Sequence, residues 1–420
     1  MSAGGGTTGA GAGVRFFNTF EPVTGLYREL IPRLAAEGVP VTVFVSRAVY
    51  RPGRGLEDFL ERVPGTRLRR VASFGLHARQ GTAAKAVIGA LYFAGALALT
   101  LFARGRHRNV FLTQPPFIPL LGLILSKLRR QPYCVILMDL QPHLAAAVGL
   151  VGTGSLAYRA FRRLNLAALA GADRVVVIGR CMAETARAEG IPAARIRMIP
   201  NWADPEQIRP IPHARNDFRR AMGWGDRFVV MYAGTLGYAQ SMEGLVAAAE
   251  KLTGQPGLVV AIIGEGSRRR ALERRLETAG TTNVELHPFM HREFAIAEIL
   301  SAADVHFVSL HPDVTGLAVP SKTYGVLAAG RPFLFQGSER SEIARLAREE
   351  DVGVVLPPGD SDLVAEAIRR LRGDPERMRA MGRRARALAE ERWREEGPAV
   401  SYAAVLDEID RTARVSGERR

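Results

Sequence analysis

The sequence predicts an α/β protein with two parallel-sheet domains. Short apolar runs alternate with amphipathic stretches along all 420 residues, and this alternation is typical of parallel sheets that carry helices on both faces. The pattern is interrupted at 200–212, where four prolines fall within one short segment. Because proline stops both helices and strands, we expect a domain boundary there and two similar-sized domains that face each other across a cleft.

Each half contains its own series of predicted strands. The runs are short, rich in valine, isoleucine and phenylalanine, and bounded by turn residues, which favours strands over helices. Because ligands bind at the carboxyl ends of the strands in such sheets, the functional loops should follow strands. The predicted strands of the first half are 14–17, 41–45, 109–112, 133–138 and 174–178, with helices such as 26–36 and 155–170 between them. Those of the second half are 228–233, 258–263, 284–287, 305–309, 333–335 and 353–356.

The two ends of the chain are predicted separately from the domains. Residues 1–13 are almost all Gly, Ala, Ser and Thr, without the basic start or the apolar run of a signal peptide, and they predict a disordered leader. The first domain is expected at 14–203 and the second at 204–395. A helix at about 396–412 is expected to pack back on the first domain.

Composition excludes several classes of protein. Hydrophobic residues make up 47% of the chain and charged residues 24%, and the mean hydropathy of +0.01 is that of a folded protein with a sizeable core. The two cysteines, Cys134 and Cys181, cannot build a disulfide scaffold, and no CxxC spacing is present for a structural zinc site. A reducing compartment is therefore expected.

The excess positive charge is confined to the first half of the chain. The net charge is +15, yet residues 1–200 hold 26 lysines and arginines against 10 acids, whereas the remainder holds 31 against 32. The excess therefore belongs to one surface. Aromatic residues are only 7% and do not alternate with arginines as in a platform for stacking bases, so a nucleic-acid partner is not expected.

An apolar segment in this basic half predicts a surface that faces a membrane. Residues 86–103 contain no charge and are bounded by Lys85 and by three arginines within 104–108. Eighteen residues is the lower limit for a membrane span, and the strand–helix alternation needs a helix here, so a buried or interfacial helix is favoured over a span. A second apolar stretch, 117–125, is also followed by three basic residues. Such clusters fit an anionic membrane surface, and solvated charge beside two core helices is the alternative.

The strongest chemical signal is in the segment 316–332. It consists of a loop after a strand, a turn at Pro320 and Ser321, a helix and a glycine stop. Ser321 is expected to accept hydrogen bonds from the free amides at the helix start, which together with the helix dipole would form an anion site. Lys322 places a cation in the first turn, where acids are usually preferred, and this would be favourable beside a phosphate. An ordinary capped helix with a solvated lysine is the alternative.

This segment, GLAVPSKTYGVLAAGRP, resembles the donor-site helix of retaining glycosyltransferase family 4, specifically the bacterial branch with a PSK motif that builds cell-surface polysaccharides. Six further segments match the family in the right order, and the resemblance runs from about Val14 to the C-terminus. They are PVTG (22–25), MDLQP (138–142), VIGRCM (177–182), RMIPNWAD (197–204), AGTLGYAQSME (233–243) and IGEG (263–266).

The resemblance implies a GT-B fold, with a nucleotide-sugar in the C-terminal domain and the acceptor in the N-terminal domain. It also implies sugar transfer with retention, without a bound metal and without a cofactor. The leaving diphosphate would then be stabilised by helix amides and basic side chains, in agreement with the separate interpretation of Ser321 and Lys322. Arg180 is a further basic candidate for this role.

The sequence departs from the family at positions that usually contact the donor. Two glutamates eight residues apart are replaced by Leu317 and Gly325, and an arginine and a lysine of the first donor loop are replaced by Thr235 and Gln240. The contacts that these two glutamates make with the sugar and the ribose in the family are therefore not expected in this chain. Lys322 is expected to carry more of the charge stabilisation.

The predicted catalytic residues are Asp139, His143 and Lys322. Asp139 is expected to contact the acceptor or the sugar, with a helix-capping aspartate as the alternative, and His143 stands where related sequences often have an acid. Phe289 and Met290 are candidates for the nucleobase pocket, with core packing as the alternative. The other predicted substrate-binding residues are Gly25, Arg180, Gly234, Thr235, Gly264, Glu265, Gly266, Pro320 and Ser321.

The predicted function is transfer of a hexose-type sugar from a nucleotide-sugar to a saccharide acceptor linked to polyprenyl diphosphate. The expected location is the cytoplasmic, inner face of the plasma membrane. One alternative is a GT-B nucleotide-sugar epimerase, for which Asp139 and His143 are the available acid–base candidates. The other is a basic membrane- or nucleic-acid-binding protein without catalysis, which leaves the donor-domain motifs unexplained.

Overall fold

The structure is a computed structural model that describes residues 12–18, 25–46, 55–71, 82–290, 293–393 and 397–418. The predicted leader, apart from its last two residues, and positions 22–24 of the predicted glycine loop lie outside these ranges. The described chain divides into two compact units. The first unit comprises the described residues within 1–178, 183–200 and 398–420, and the second comprises those within 179–182 and 201–397.

The first unit is built on a parallel sheet with the strand order β3-β2-β1-β4-β5-β6-β7. Its central strands are buried on both faces because they consist mainly of Val, Ile, Leu and Phe. The strands are β1 (Gly13–Phe17), β2 (Val41–Ser46), β3 (Thr66–Val71), β4 (His107–Leu112), β5 (Tyr133–Leu137), β6 (Arg174–Val177) and β7 (Ile196–Met198). The helices are α1 (Gly25–Ala36), α2 (Gly55–Glu61), α3 (Thr82–Leu101), α4 (Pro119–Arg129), α5 (His143–Ala147), α6 (Leu156–Gly171) and α7 (Arg180–Ala188), together with the C-terminal helix given below. The first three residues of α7 are counted with the second unit.

Two strands of this sheet are not among the predicted ones. β3 has the sequence TRLRRV and carries exposed arginines, and β7 is only three residues long. Both lie at the ends of the strand order. An edge strand is paired on one side only and needs fewer apolar residues, so the apolar pattern that marks the central strands is missing.

The apolar segment 86–103 forms most of α3, which packs one face on the sheet. Every fourth residue from Ile88 to Thr100 is buried, as expected for one side of a helix. On this side the Tyr92 hydroxyl donates to the Phe44 carbonyl at 2.8 Å. Among the helices that the structure describes, α3 included, none combines the length and the apolar character needed to cross a membrane.

The C-terminal helix of the described chain packs on the first unit through ion pairs. Glu408 contacts Arg174 at 2.5 Å and Arg197 at 2.9 Å. Arg108 is only 4% exposed; it donates to the Ala12 carbonyl and pairs with Asp407 at 3.4 Å. The expectation that Arg108 belongs to a basic cluster facing a membrane is therefore wrong, because this strand residue finds its partners inside the unit. The helix is α16 (Pro398–Glu418).

The second unit is built on a parallel sheet with the order β10-β9-β8-β11-β12-β13, and its six strands confirm the six predicted from the second half of the sequence. They are β8 (Phe228–Ala233), β9 (Leu258–Ile263), β10 (Val284–His287), β11 (Val305–Ser309), β12 (Phe333–Gln336) and β13 (Gly353–Leu356). The helices are α8 (Asp217–Ala221), α9 (Glu243–Lys251), α10 (Arg269–Ala279), α11 (Ile296–Ser301), α12 (Lys322–Ala328), α13 (Glu342–Glu349), α14 (Ser361–Gly373) and α15 (Pro375–Trp393). The order places β8 between β9 and β11, so the loops after these three strands are neighbours at one edge.

Candidate functional site

The candidate donor site lies at the carboxyl edge of the second sheet. Parallel strands end at the same edge, so the loops that follow β9, β8 and β11 come together there. The loop after β11 leads directly into α12. The predicted donor residues on these three loops and at the start of α12 are Gly234, Thr235, Gly264, Glu265, Gly266, Pro320, Ser321 and Lys322.

The glycines of the first two loops are required by a close backbone contact. The Leu236 amide donates to the Glu265 carbonyl at 2.9 Å, which joins the two loops. A Cβ on Gly264 would lie 2.0 Å from the Gly234 carbonyl oxygen, and a Cβ on Gly266 would lie 2.1 Å from the Leu236 carbonyl oxygen. At such distances the backbone would have to move, so any residue larger than glycine would separate the loops.

Lys322 carries a buried amine that has no hydrogen-bond partner within the described residues. Its Nζ lies 3.4 Å from the centroid of the Tyr232 ring, which is a cation–π contact when the amine is charged. A Cβ on Gly234 would lie 2.9 Å from this Nζ, so glycine leaves the room that the amine occupies. Burial lowers the pKa of Lys322 well below its usual range. A buried amine without an acid or a carbonyl partner is costly for stability and is typical of functional sites.

Tyr232 connects this amine to the first donor loop. The tyrosine is buried, and its hydroxyl donates to the Thr235 carbonyl at 2.6 Å. One side chain therefore supports Lys322 with its ring and holds the loop with its hydroxyl. Sequence reasoning missed Tyr232 because it lies within the apolar run 228–233 and has the pattern of a core residue. The polar hydroxyl near the end of that strand is the signal that could have marked it.

Ser321 does not cap α12. Its backbone is helical, with φ −65° and ψ −24°, and its side chain makes no capping hydrogen bond. A capping serine takes an extended backbone, which turns the hydroxyl towards the amides of the first turn. The predicted cap is therefore wrong, and Lys322 rather than Ser321 is the group of this segment that is suited to an anion. Ser321 is exposed, whereas Pro320 is buried.

Arg180 belongs by its contacts to the second unit, where two glutamates hold it. Its guanidinium lies 3.0 Å from Glu342 and 2.7 Å from Glu349, and its backbone amide also donates to Glu342 at 2.6 Å. The hydrogen bond to Glu349, followed by that to Glu342, raises the pKa of Arg180 above its usual range. A guanidinium with two acid partners is less available to a diphosphate than the unpaired amine of Lys322. Sequence reasoning missed Glu342, which is 8% exposed, because no motif marks it.

The remaining donor-side candidates lie on the loops of the same unit. Phe289 and Met290 follow β10 and are partly buried. Met290 packs against the hydrophobic core, as in the alternative considered for it. Thr235 is exposed, and the half-exposed carboxylate of Glu265 lies 3.6 Å from Arg269.

In the first unit, Asp139 stands two residues beyond the end of β5. Burial raises the pKa of its carboxyl to about 6, and its backbone amide lies 3.4 Å from the Thr113 hydroxyl. Asp139 does not cap the helix that follows, because the N-cap of α5 is Pro142. A carboxyl that titrates near neutral pH is suited to accept a hydrogen bond or a proton from a sugar hydroxyl.

His143 is the first residue of α5 and is held by a pair of charged side chains. Its Nε2 lies 3.2 Å from Arg162 Nε and 3.3 Å from a Glu189 carboxylate oxygen, and Arg162 also pairs with Glu189. Its Nδ1 is buried and has no partner within the described residues. When Nε2 accepts from Arg162, the neutral ring carries its proton on Nδ1, which can then donate to a ligand. Gly25, the last glycine-loop candidate, is the first residue of α1 in this unit.

Curated relatives of this chain are bacterial glycosyltransferases. A probable glycosyltransferase, WbjE of Pseudomonas aeruginosa, is 29% identical over 278 residues, which is 64% of this chain and 67% of the relative. The putative colanic acid biosynthesis glycosyl transferase WcaI of Escherichia coli K12 is 25% identical over 254 residues, or 59% of this chain and 61% of the relative. The matched regions thus span about two thirds or less of these relatives.

Solved structures share the fold over nearly the whole chain. HepE of Anabaena in complex with UDP-glucose has a TM-score of 0.70 and 16% identity, and covers 96% of this chain and 99% of that one. Sucrose-phosphate synthase from Thermosynechococcus elongatus has a TM-score of 0.73 and 18% identity, and covers 96% and 100%. These likenesses place both α/β units in the GT-B fold.

Two family models match consecutive parts of the chain. The model described as a glycosyl transferase 4-like domain matches residues 26–202, and the model described as glycosyl transferases group 1 matches residues 214–388. Together they include most of the sequence, and the donor loops described above fall within the second. The chain therefore belongs to the glycosyltransferases of the GT-B fold.

Proposed function

We propose that this glycosyltransferase moves a hexose-type sugar from a nucleotide-sugar to a lipid-linked saccharide during the synthesis of bacterial cell-surface polysaccharide. The support comes from two sources. The relatives include a putative colanic acid biosynthesis enzyme, and a structure that shares the fold holds UDP-glucose. The chain itself supplies loops and an unpaired amine at the sheet edge where a nucleotide-sugar would bind.

The observation that carries the donor proposal is the environment of Lys322. Its Nζ is buried without a partner beside the loop that begins at Gly234, and its flexible stem is partly exposed. A diphosphate oxygen would give the amine a partner and would favour its charged form. The amine would then stabilise the charge that develops on the diphosphate as the sugar leaves.

The proposed reaction is retaining and does not need a metal. The bond between the anomeric carbon and the diphosphate breaks, a bond to the acceptor oxygen forms on the same face, and the diphosphate takes the acceptor proton. This route depends on positioning and charge stabilisation more than on a strong base. It is supported by the lysine at the proposed diphosphate position. Within the described residues, no three His, Cys, Asp or Glu side chains are grouped so as to hold a metal ion.

The proposed acceptor is linked to polyprenyl diphosphate at the cytoplasmic face of the plasma membrane. Between residues 62 and 172 the chain has fifteen lysines and arginines and a single acid, Asp139. Such a segment favours an anionic membrane surface. Asp139 and His143 are the proposed contacts to the acceptor. The buried Cys134 and Cys181 are not joined by a disulfide, which fits a reducing compartment.

The rate of transfer is expected to fall at acidic pH because of Asp139. Burial raises the pKa of this carboxyl to about 6, so it is protonated below that pH and ionised above it. If the carboxylate orients the acceptor hydroxyl, kcat/KM should fall about tenfold per pH unit below about pH 6. A pH profile of wild type and Asp139→Asn measures this. The variant should be slower at pH 7.5, and below about pH 6 its kcat/KM should not fall. If the variant shows the same fall as wild type, the titrating group is not Asp139.

The proposed function is tested with a panel of nucleotide-sugars, with and without a polyprenyl-diphosphate-linked saccharide. Nucleotide release that depends on the acceptor is the expected result. Conversion of the nucleotide-sugar without an acceptor would indicate an epimerase instead. The reaction is then run in excess EDTA, and the anomeric configuration of the product is assigned by NMR. Activity lost with EDTA and restored by magnesium, or an inverted linkage, would contradict the proposed chemistry.

A further inference from the structure

One side of α6 presents leucines and arginines to solvent. Leu156 is 77% exposed and Leu164 is 52% exposed, and Arg159 and Arg163 are exposed as well. The spacing of three and four residues places these side chains on one side of the helix. We name this surface the α6 outer face and define it as Leu156, Arg159, Ala160, Arg163 and Leu164.

The opposite side of α6 is fixed in the first unit, so the exposed leucines cannot be buried by rotation of the helix. Asn165, Ala168 and Leu169 are buried, and the Tyr133 hydroxyl donates to the Ala168 carbonyl at 2.6 Å. Ser155 caps the helix by accepting from the Tyr158 amide. Leu150, in the loop that precedes the helix, is also 67% exposed.

The charge of this surface is positive without compensation. No Asp or Glu occurs between residues 140 and 172. Arg162, on the inner side, pairs with Glu189, whereas neither Arg159 nor Arg163 has an acidic partner within the described residues. Exposed leucines beside unpaired arginines are the combination expected for a helix that lies on an anionic bilayer.

The inner side of the same helix contacts the candidate acceptor residues. Asn165 donates to the Gln141 carbonyl at 2.5 Å, and Arg162 contacts His143 at 3.2 Å. The ring of Tyr158 also lies against His143. A membrane on the outer face of α6 would therefore lie one helix away from His143 and from the loop that holds Asp139.

We propose that the α6 outer face docks on the surface of an anionic membrane, with the leucines in the head-group region and the arginines at lipid phosphates. The argument from location rests on the proposed lipid-linked acceptor, whereas the arguments from exposure and charge do not. A second copy of the chain fits this surface less well. In a two-fold interface the same face would meet itself, so Arg159 and Arg163 would meet a second basic face with no acid in the segment to compensate them.

A second basic and apolar surface provides a matched control. Leu99 and Phe102 are 51% and 79% exposed, and Arg104 and Arg106 follow directly. These residues lie where α3 ends and the chain enters β4, which is the amino edge of the sheet. Because Asp139 follows the carboxyl end of β5, a membrane at the amino edge would be on the wrong side for a lipid-linked acceptor.

The experiment measures sedimentation of the full-length protein with vesicles of phosphatidylcholine containing one third phosphatidylglycerol. The pairs Leu156→Ser with Leu164→Ser and Arg159→Ser with Arg163→Ser should each weaken binding about tenfold or more. Wild-type binding should weaken at high salt, because the Debye length shrinks. The control pairs Leu99→Ser with Phe102→Ser and Arg104→Ser with Arg106→Ser should stay within about twofold of wild type. Melting temperatures verify that every variant folds.

The outcomes separate this surface from the proposed function. Transfer to a short-chain, water-soluble acceptor should be the same in wild type and in the α6 variants. If the α6 pairs leave the binding to vesicles unchanged, or if only the control pairs abolish it, the proposed role of the α6 outer face would be contradicted. The proposed transferase activity would not be affected by this result. A dimer in light scattering that the leucine pair dissociates would also contradict the proposed role of the α6 outer face, because the occupant would then be a second copy.

Discussion

Replacing Lys322 with methionine is expected to lower kcat/KM for sugar transfer by about a hundredfold to a thousandfold. The reason is that its unpaired amine lies beside the loop that begins at Gly234. Removal of one preorganised group that stabilises developing charge typically costs about 3–4 kcal/mol. Methionine keeps the length and apolar character of the stem. Steady-state kinetics with the donor identified by the panel measure the effect.

The same variant should melt at a temperature equal to or above that of wild type. Burial disfavours the charged form of Lys322 and lowers its pKa in the folded chain, so the buried amine destabilises the protein at neutral pH. Lys251→Met is the matched control, since Lys251 lies in the same unit but is exposed and pairs with Asp362 at 2.6 Å. Near-normal kcat/KM in Lys322→Met, or an equal loss in Lys251→Met, would contradict the assigned role.

The second large effect is expected at Gly264. An alanine Cβ would lie 2.0 Å from the Gly234 carbonyl oxygen. Both backbones are held in place, because the Gly264 amide donates to the His287 carbonyl and the Gly234 amide donates to the Ile263 carbonyl, each at 2.9 Å. Overpacking of this kind costs about 1–3 kcal/mol of unfolding free energy. Because the two donor loops would separate, we also expect the donor KM to rise about tenfold or more.

Gly373→Ala is the control for this substitution. Gly373 ends α14, and a Cβ there would meet nothing within 4 Å. The unfolding free energy of Gly373→Ala should stay within about 0.5 kcal/mol of wild type, as for most surface substitutions, and the donor KM of this variant should not change. Urea denaturation and kinetics on both variants provide the comparison. A Gly264→Ala enzyme with wild-type stability and KM would show that the loops do not need their close contact.

The fold was largely accessible from the sequence because its central strands are apolar on both faces. All six strands of the second sheet are marked by runs such as 228–233 and 258–263, which periodicity identifies without further context. The two strands that were missed lie at the edges of the first sheet. There, β3 needs little apolar surface, and its arginines conceal the strand pattern.

The candidate site was accessible in part. The motifs that contain Lys322, Gly234, Gly264 and Gly266 each come after a predicted strand, and this order placed them at the carboxyl edge of the second sheet. The burial of the Lys322 amine on Tyr232 depends on packing between β8 and the start of α12, and no local pattern shows it. The predicted capping role of Ser321 is wrong because the backbone of this residue is helical rather than extended, which no local sequence pattern shows.

The central claim is that Lys322 binds the diphosphate of a nucleotide-sugar. Titration calorimetry of wild type and Lys322→Met with UDP, GDP and ADP, and with the corresponding nucleosides, tests it most directly. At least one nucleoside diphosphate should bind wild type, and the variant should bind it about tenfold or more weakly while its affinity for the nucleoside is unchanged. A nucleoside diphosphate that binds both proteins with equal affinity would contradict the account.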